Sequence, residues 1–332
     1  MFQKYHFRTF DDIRSDASAE TTRFSVKAPL KGLAHAILSK GLYSIQSCVA
    51  LDWGSFIMTK SELTRRRLLR GAAAAGGLAS IAASARILSP ARAQSARKTF
   101  VLVHGAFCGS WTWRRVADLL EGKGHKVFVP TLTGLGERSH LLRKDIDLDT
   151  HIADVVNLIK WESLNDVCLV LHSYGGFVGS GALEAIGNLV SSTVWLDAFI
   201  PIDGQKPLDV TNEGFRKMLQ AAQEKGEAGF GASGSKVPAI FVAEPDESFV
   251  RSKLTPQPIG TYLQAIKLSG AREKVAKKTF IRTPRFPHPA LDKALAECKA
   301  DKSWATFELA DTGHMAMLDG PERVTDLLVQ AA

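Results

Sequence analysis

The chain predicts an α/β fold: a mainly parallel sheet of about six strands, flanked by helices and interrupted by an inserted cap. Three observations carry this. From Lys98 onward, short apolar runs alternate with segments of helical periodicity, the rhythm of βα units. The apolar runs are short and nearly continuous, as in a sheet covered on both faces. The roughly 80 residues from Phe199 to Lys277 break the rhythm with a Gly/Ser-rich stretch at Gly229–Ser235 and a proline-punctuated one at Leu254–Gly260. In an α/β chain such an interruption reads as an insertion over the functional end of the sheet.

The elements follow in order. Strands are expected at Thr99–His104, Lys126–Thr131, Val167–His172, Ser192–Asp197, Lys278–Thr283 and Ala305–Leu309. Between the first two, Trp111 to Leu120 carries apolar residues at helical spacing and stops near Gly124. Between the next two, Ile152, Val155, Val156 and Ile159 recur at i, i+3, i+4, i+7, so Asp149–Trp161 is expected to be a helix with one face on the sheet.

The N-terminal third reads differently. Arg65-Arg66 lies in a basic run, Thr64 to Arg70, followed by an Ala/Gly stretch from Gly71 to about Leu88 and then Ala91-Arg92-Ala93, a small-x-small cleavage signature. Residues 58–93 are expected to be a twin-arginine export signal cut after Ala93, which implies a periplasmic or secreted product and the twin-arginine machinery as a partner. The stretch is too polar for a good membrane anchor, with Arg86 inside it. Signal n-regions are short and Met58 lies seven residues before Arg65, so Met58 is the expected start and residues 1–57 an extension. The α/β domain is then 94–332, with the cap at about 199–277.

Charge supports setting the leader aside. Residues 1–93 hold 14 of the 42 Lys and Arg and 6 of the 34 Asp and Glu, leaving 28 of each sign in the remainder. The whole net charge of +8 belongs to the leader, so the basic balance is no argument for nucleic-acid or membrane binding. Cys108, Cys168 and Cys298, an odd number without close spacing, argue against a disulfide framework. Cys168 in an apolar strand reads as packing, as does Cys108, which lacks a His or Asn in a cysteine-hydrolase arrangement. No His or Cys pair has metal-ligand spacing, so no metal is expected.

The chemistry concentrates at strand ends. Leu171-His172-Ser173-Tyr174-Gly175-Gly176 sets a serine between a β-rich run and a small-residue helix start, the place of a nucleophile elbow. Leu171 stands where that motif usually has Gly. A strand-end serine alone is commonplace; the neighbouring segments change its weight. Val103-His104-Gly105-Ala106 is a strand running into a glycine turn, as an oxyanion loop requires, and Gly313-His314 follows the last strand. A serine needs a base to remove its proton and a third group to fix the base, so Ser173 and His314 are the first two candidates. For the acid, Asp197 at the end of the next strand ranks ahead of Asp292, which begins a helix and can equally serve as its N-terminal charge. Backbone N–H groups of Tyr174 and Ala106, with Phe107 as the neighbouring alternative to Ala106, are the expected oxyanion donors. Phe107, Trp111 and Phe177 are candidate pocket walls, although such rings more often pack in cores. His104 and His172 read as structural histidines.

From about Thr99 to Leu328 the chain resembles the α/β-hydrolase superfamily, within it the small bacterial esterase branch related to plant methylesterases and hydroxynitrile lyases. The resemblance rests on His-Gly-Ala-Phe-Cys-Gly-Ser-Trp-Thr-Trp (104–113), Pro-Thr-Leu-Thr-Gly-Leu-Gly-Glu-Arg-Ser-His-Leu (130–141), His-Ser-Tyr-Gly-Gly (172–176), Leu-Asp-Ala-Phe-Ile-Pro (196–201), Leu-Thr-Pro-Gln-Pro (254–258) and Gly-His-Met-Ala-Met (313–317). It implies a cofactor-free serine esterase acting on small-molecule carboxylic esters, xenobiotic esters and carbamates among them, as a monomer or homodimer. In many of these enzymes the acid follows the penultimate strand. Here Pro284-Arg285-Phe286-Pro287-His288-Pro289-Ala290 follows it, with no carboxylate before Asp292. A lyase on the same scaffold and a low-turnover ligand-binding receptor are the competing expectations, because fold and site geometry are shared among them.

Overall fold

The computed structural model describes residues 97–231, 241–244 and 246–332. The twin-arginine segment and everything before it lie outside the described residues. The strands are β1 (Thr99–Val103), β2 (Lys126–Phe128), β3 (Val167–His172), β4 (Val190–Leu196), β5 (Gly229–Phe230), β6 (Gln257–Pro258), β7 (Lys277–Arg282) and β8 (Trp304–Glu308). The helices are α1 (Arg114–Gly122), α2 (Leu148–Trp161), α3 (Gly175–Ile186), α4 (Glu213–Glu224), α5 (Asp246–Lys253), α6 (Gly260–Leu263), α7 (Pro289–Ala300), α8 (Ala316–Asp319) and α9 (Pro321–Ala331).

Six strands form one sheet in the order β2-β1-β3-β4-β7-β8, and every pairing in it is parallel. This is the α/β-hydrolase fold. All six residues of β3 are buried, and the strand residues alternate between two cores. Val101, Leu169, Leu171 and Trp195 meet α2 and α3 residues such as Val155 and Phe177 on one face. Phe100, Leu102, Val170 and Val194 meet Val116, Leu120, Val324 and Leu328 of α1 and α9 on the other. Strand side chains point to opposite faces in turn, so one continuous apolar run supplies both cores.

Strand ends shift by one or two residues from the sequence expectation, and β2 stops at Phe128 rather than Thr131 because Pro130 has no N–H to give to a ladder. The Trp111–Leu120 segment divides into a 3-10 turn, Ser110–Trp113, and α1. Helix α2 begins at Leu148 under a capping box, Asp147 Oδ1 accepting from the Thr150 N–H at 2.9 Å. Leu171, where an elbow usually has Gly, is accommodated from the helix side: a Cβ on Gly179 of α3 would overlap the Leu171 side chain. The glycine that lets strand and helix approach here is on the helix, not at position 171.

Between β4 and β7 the chain leaves the sheet for an insert carrying α4, α5, α6 and the antiparallel pair β5–β6. Among the described residues, no helix is long and apolar enough to cross a membrane, and no group of three or more His, Cys, Asp and Glu is placed to hold a metal ion.

Candidate active site

The chain proceeds from β1 outward to β2 and from β3 outward the other way to β4, so the sheet order reverses between β1 and β3. Crevices form beyond the carboxyl ends of strands at such a point. Gly105 leaves β1 there and Ser173 leaves β3. A Cβ on Gly105 would stand 3.0 Å from the Ser173 Cβ and 2.9 Å from His172 Nδ1, so glycine is what allows the two strand ends to meet.

Ser173 has φ +54°, a left-handed conformation rare outside glycine, and Asp197 at the tip of β4 has φ +46°. Both residues turn the chain sharply at a strand end. Such strain persists where the surrounding structure over-determines it. For Ser173 the restraint is its own carbonyl, which accepts the N–H groups of Gly176 (3.0 Å) and Phe199 (3.1 Å).

Asp197 is fully buried. Its Oδ2 accepts His314 Nδ1–H at 2.6 Å and the Thr283 hydroxyl at 2.7 Å; its Oδ1 accepts Arg282 at 2.7 Å and the Thr283 N–H at 3.0 Å. Burial pushes the carboxyl pKa up, but the His314 hydrogen bond and charge, the Arg282 charge and the Thr283 N–H outweigh it and hold it below the usual carboxylate range. With Nδ1–H given to Asp197, the neutral His314 ring has Nε2 as its basic nitrogen. Asp292, the other candidate acid, does not reach His314. It sits in the first turn of α7, 59 % exposed, and its Oδ1 accepts two bonds from the far side of the same Arg282 guanidinium, at 3.0 and 2.7 Å.

His172 joins the two halves. Its Nε2–H donates to the His314 carbonyl at 3.0 Å, and its Nδ1 has no partner among the described residues. Burial, reinforced by His314 nearby, pushes its pKa down to about 3, so it stays neutral. No hydrogen bond links Ser173 Oγ to His314 among the described residues; the His172 contact is what draws the serine's strand and the His314 loop together. His104 Nε2 accepts the Leu132 N–H at 3.0 Å, which makes Nδ1 the protonated nitrogen, donating to Gly105 O at 2.8 Å. Burial lowers its pKa to about 4.

The oxyanion candidates separate. The Phe107 N–H is taken by Gln257 Oε1 at 2.9 Å, whereas the N–H groups of Ala106 and Tyr174 have no hydrogen-bond partner among the described residues. Trp111 lies edge-on to Phe249 at 5.5 Å, and Phe177 is fully buried in the core against Phe199. The rings that touch His314 are others: Phe286 at 4.3 Å between centroids, His172 at 4.6 Å and Phe241 at 5.6 Å. His288 lies between Phe286 and Phe199, its pKa lowered by burial and by the His314 and Arg282 charges. Cys108 is buried, and burial alone pushes its thiol up to about 12, which disfavours a thiolate nucleophile.

Sequence reasoning missed Arg282, Thr283, Gln257 and Phe286. Arg282 left a signal: an arginine ending a strand otherwise expected to be buried calls for a buried anion.

Comparison with known proteins gives a consistent picture. The sequence model described as the alpha/beta hydrolase family matches residues 100–327. A carbendazim hydrolyzing esterase of Nocardioides sp. (strain SG-4G) is 34 % identical over 240 residues, covering 69 % of this chain and 97 % of that protein. Methylesterase 1 of Arabidopsis thaliana is 26 % identical over 258 residues, covering 71 % of this chain and 96 % of its own length. Among solved structures, an extracellular alpha/beta-hydrolase from a Paenibacillus species superposes with a TM-score of 0.59 at 22 % identity, over 71 % of this chain and 99 % of that one.

Proposed function

The chain belongs to the alpha/beta hydrolase family, and from that premise we propose that it is a serine hydrolase that cleaves carboxylic esters through an acyl-enzyme. The observation that carries this reading is the buried Asp197–His314 pair, 2.6 Å apart, beside a serine in left-handed backbone at the sheet's switch point. Ser173 Oγ attacks the ester carbonyl while His314 Nε2 takes its proton. The oxyanion lies against the N–H groups of Ala106 and Tyr174. Collapse expels the alcohol, which leaves with the proton from His314. Water then repeats the sequence and releases the acid. Asp197 keeps His314 in the Nδ1–H tautomer and stabilises the imidazolium.

The esterase names of the relatives support ester hydrolysis, and the carbendazim hydrolyzing relative supports xenobiotic esters and carbamates as the class to screen. The aromatic rings of Phe241 and Phe286 beside His314 suit a flat, apolar group next to the scissile bond. Arg65-Arg66 and the Ala91-Arg92-Ala93 site support export, and an exported protein beginning at Gln94 is the expected product.

Turnover of a short-chain ester in H₂¹⁸O, followed by mass spectrometry of the products, tests the proposal. Label in the carboxylate over many turnovers is expected. One stoichiometric turnover points instead to a receptor, and an aldehyde or ketone formed without water to a lyase.

A further inference from the structure

Phe107 is the third non-glycine residue of the site in left-handed backbone, with φ +64°. It follows Ala106 directly, so its backbone angles set the path of the oxyanion loop. A bulky residue at positive φ is held there by its surroundings, and in this case the surroundings are the insert.

Four contacts hold it. Gln257 of β6, fully buried, accepts the Phe107 N–H at 2.9 Å. The Thr255 N–H donates to the Phe107 carbonyl at 3.0 Å, and the Thr255 hydroxyl accepts the Gly136 N–H at 3.0 Å. The Phe107 ring packs edge-on against Phe230 (5.5 Å) and Phe215 (5.9 Å). Gly231 closes the cage, since a Cβ there would overlap that ring.

The Gln257 amide can point only one way. Its Nε2 donates to Thr261 Oγ1 at 2.9 Å, and the Thr261 hydroxyl is itself spent as a donor to Pro258 O at 2.6 Å. Thr261 therefore needs a donor, Phe107 needs an acceptor, and a glutamine amide meets both. Phe230, which packs on the ring, is paired in the β5–β6 ladder with Gln257, which holds the backbone. One short antiparallel strand pair grips both parts of Phe107.

We infer that Gln257, with the antiparallel β5–β6 pair and Thr255, is a positioning device for the oxyanion hole: it holds Phe107 left-handed so that the Ala106 N–H faces the developing oxyanion. This rests on the esterase reading above. Gln257 touches no reacting atom. The consequence is that the insert governs turnover as well as substrate choice, because loosening it misaims a donor that acts mainly in the transition state.

The test compares a p-nitrophenyl ester with its thiono counterpart, in which the carbonyl oxygen is sulfur. Sulfur is a weak hydrogen-bond acceptor, so thiono turnover draws little on the hole. For Gln257→Leu, kcat on the oxygen ester is expected to fall roughly 10- to 100-fold, below the roughly 10²- to 10³-fold cost of deleting a donor outright. KM stays near wild type, and the thiono ester loses several-fold less, so the oxygen-to-sulfur rate ratio shrinks. Phe107→Ala, which removes the gripped ring and leaves the backbone, must shrink the ratio in the same direction and decides the matter if Gln257→Leu does not fold. An unchanged ratio in the folded variants overturns the positioning role. A wild-type protein that turns over neither ester fails the esterase reading itself, a result distinct from an active wild type with an unmoved ratio.

Discussion

The two sides of the candidate site are built from different materials. On the acid side, Asp197, Thr283 and Arg282 come from the tips of adjacent strands β4 and β7, and a buried ion pair with full hydrogen bonding joins them. On the oxyanion side, Phe107 is held by neutral groups of an insert that leaves the sheet for some 80 residues. The first arrangement is inherent in the sheet: once β4 and β7 pair, Asp197 and Thr283 are neighbours. The second depends on the insert docking. On the proposed reading, a fold that carries its acid on a strand tip and rests its oxyanion loop on the insert can vary substrate contacts while preserving the proton relay.

The largest expected break falls on the acid side. Asp197→Asn keeps an oxygen toward Arg282 and the Thr283 N–H but puts an NH2 where Oδ2 accepts His314 Nδ1–H, which reverses the His314 tautomer and should lower kcat by roughly 10³- to 10⁴-fold, measured in steady state with unfolding followed in parallel. A mild effect would remove Asp197 from the relay. Next comes Arg282→Met, which strands a buried carboxylate without its cation. Breaking a buried pair costs about 3–5 kcal/mol, and denaturant unfolding should register a loss of that size. Tolerance of the change would mean that Thr283 alone holds the acid.

The buried histidines lace both sides together and set an acid limit. His104 and the buried His151 of α2, whose ring nitrogens lie 3.0 Å from Tyr174 Oη and 2.8 Å from Thr133 O, at about 4, and His172, at about 3, are lowered chiefly by burial. Their folded values lie below the unfolded value of about 6.5, so the unfolded chain takes up protons first as the pH drops. Their contribution is complete above about 6.5 and is lost as the pH falls toward the folded values, at a cost of roughly 2 kcal/mol per histidine between pH 7 and 5. Denaturant melts at the two pH values measure it, and equal stability at both would contradict the neutral buried state. The smallest effect is expected for Asp292→Asn. Asparagine keeps the Oδ1 acceptor toward Arg282 at an exposed position, so kcat should stay within about twofold.

Much of this was legible because strands and elbows leave local signals. The apolar runs located all six strands of the main sheet; Gly105, Ser173 and Asp197 stood out because each lies within a residue or two of a strand's end, and His314 because it follows a glycine in the loop after the last strand. What was not legible is long-range. Phe107 and Gln257 are 150 residues apart, and nothing local in either says that an amide and a backbone N–H will meet. Arg282 is a partial case: its burial was readable as a demand for an anion, but only the sheet order shows that it stands between Asp197 and Asp292. How Leu171 fits where the elbow motif usually has Gly was not legible, because the glycine that makes room for it, Gly179, lies about one turn into α3.

The most direct measurement of the central claim is where the acyl group goes. Wild-type protein and Ser173→Ala should be incubated with a slowly deacylating ester or a serine-directed phosphonate, then weighed intact and mapped by peptide mass. One adduct per chain on the peptide bearing Ser173, and none in Ser173→Ala, is the predicted result. An adduct on Cys108, or continued hydrolysis by Ser173→Ala, would contradict it.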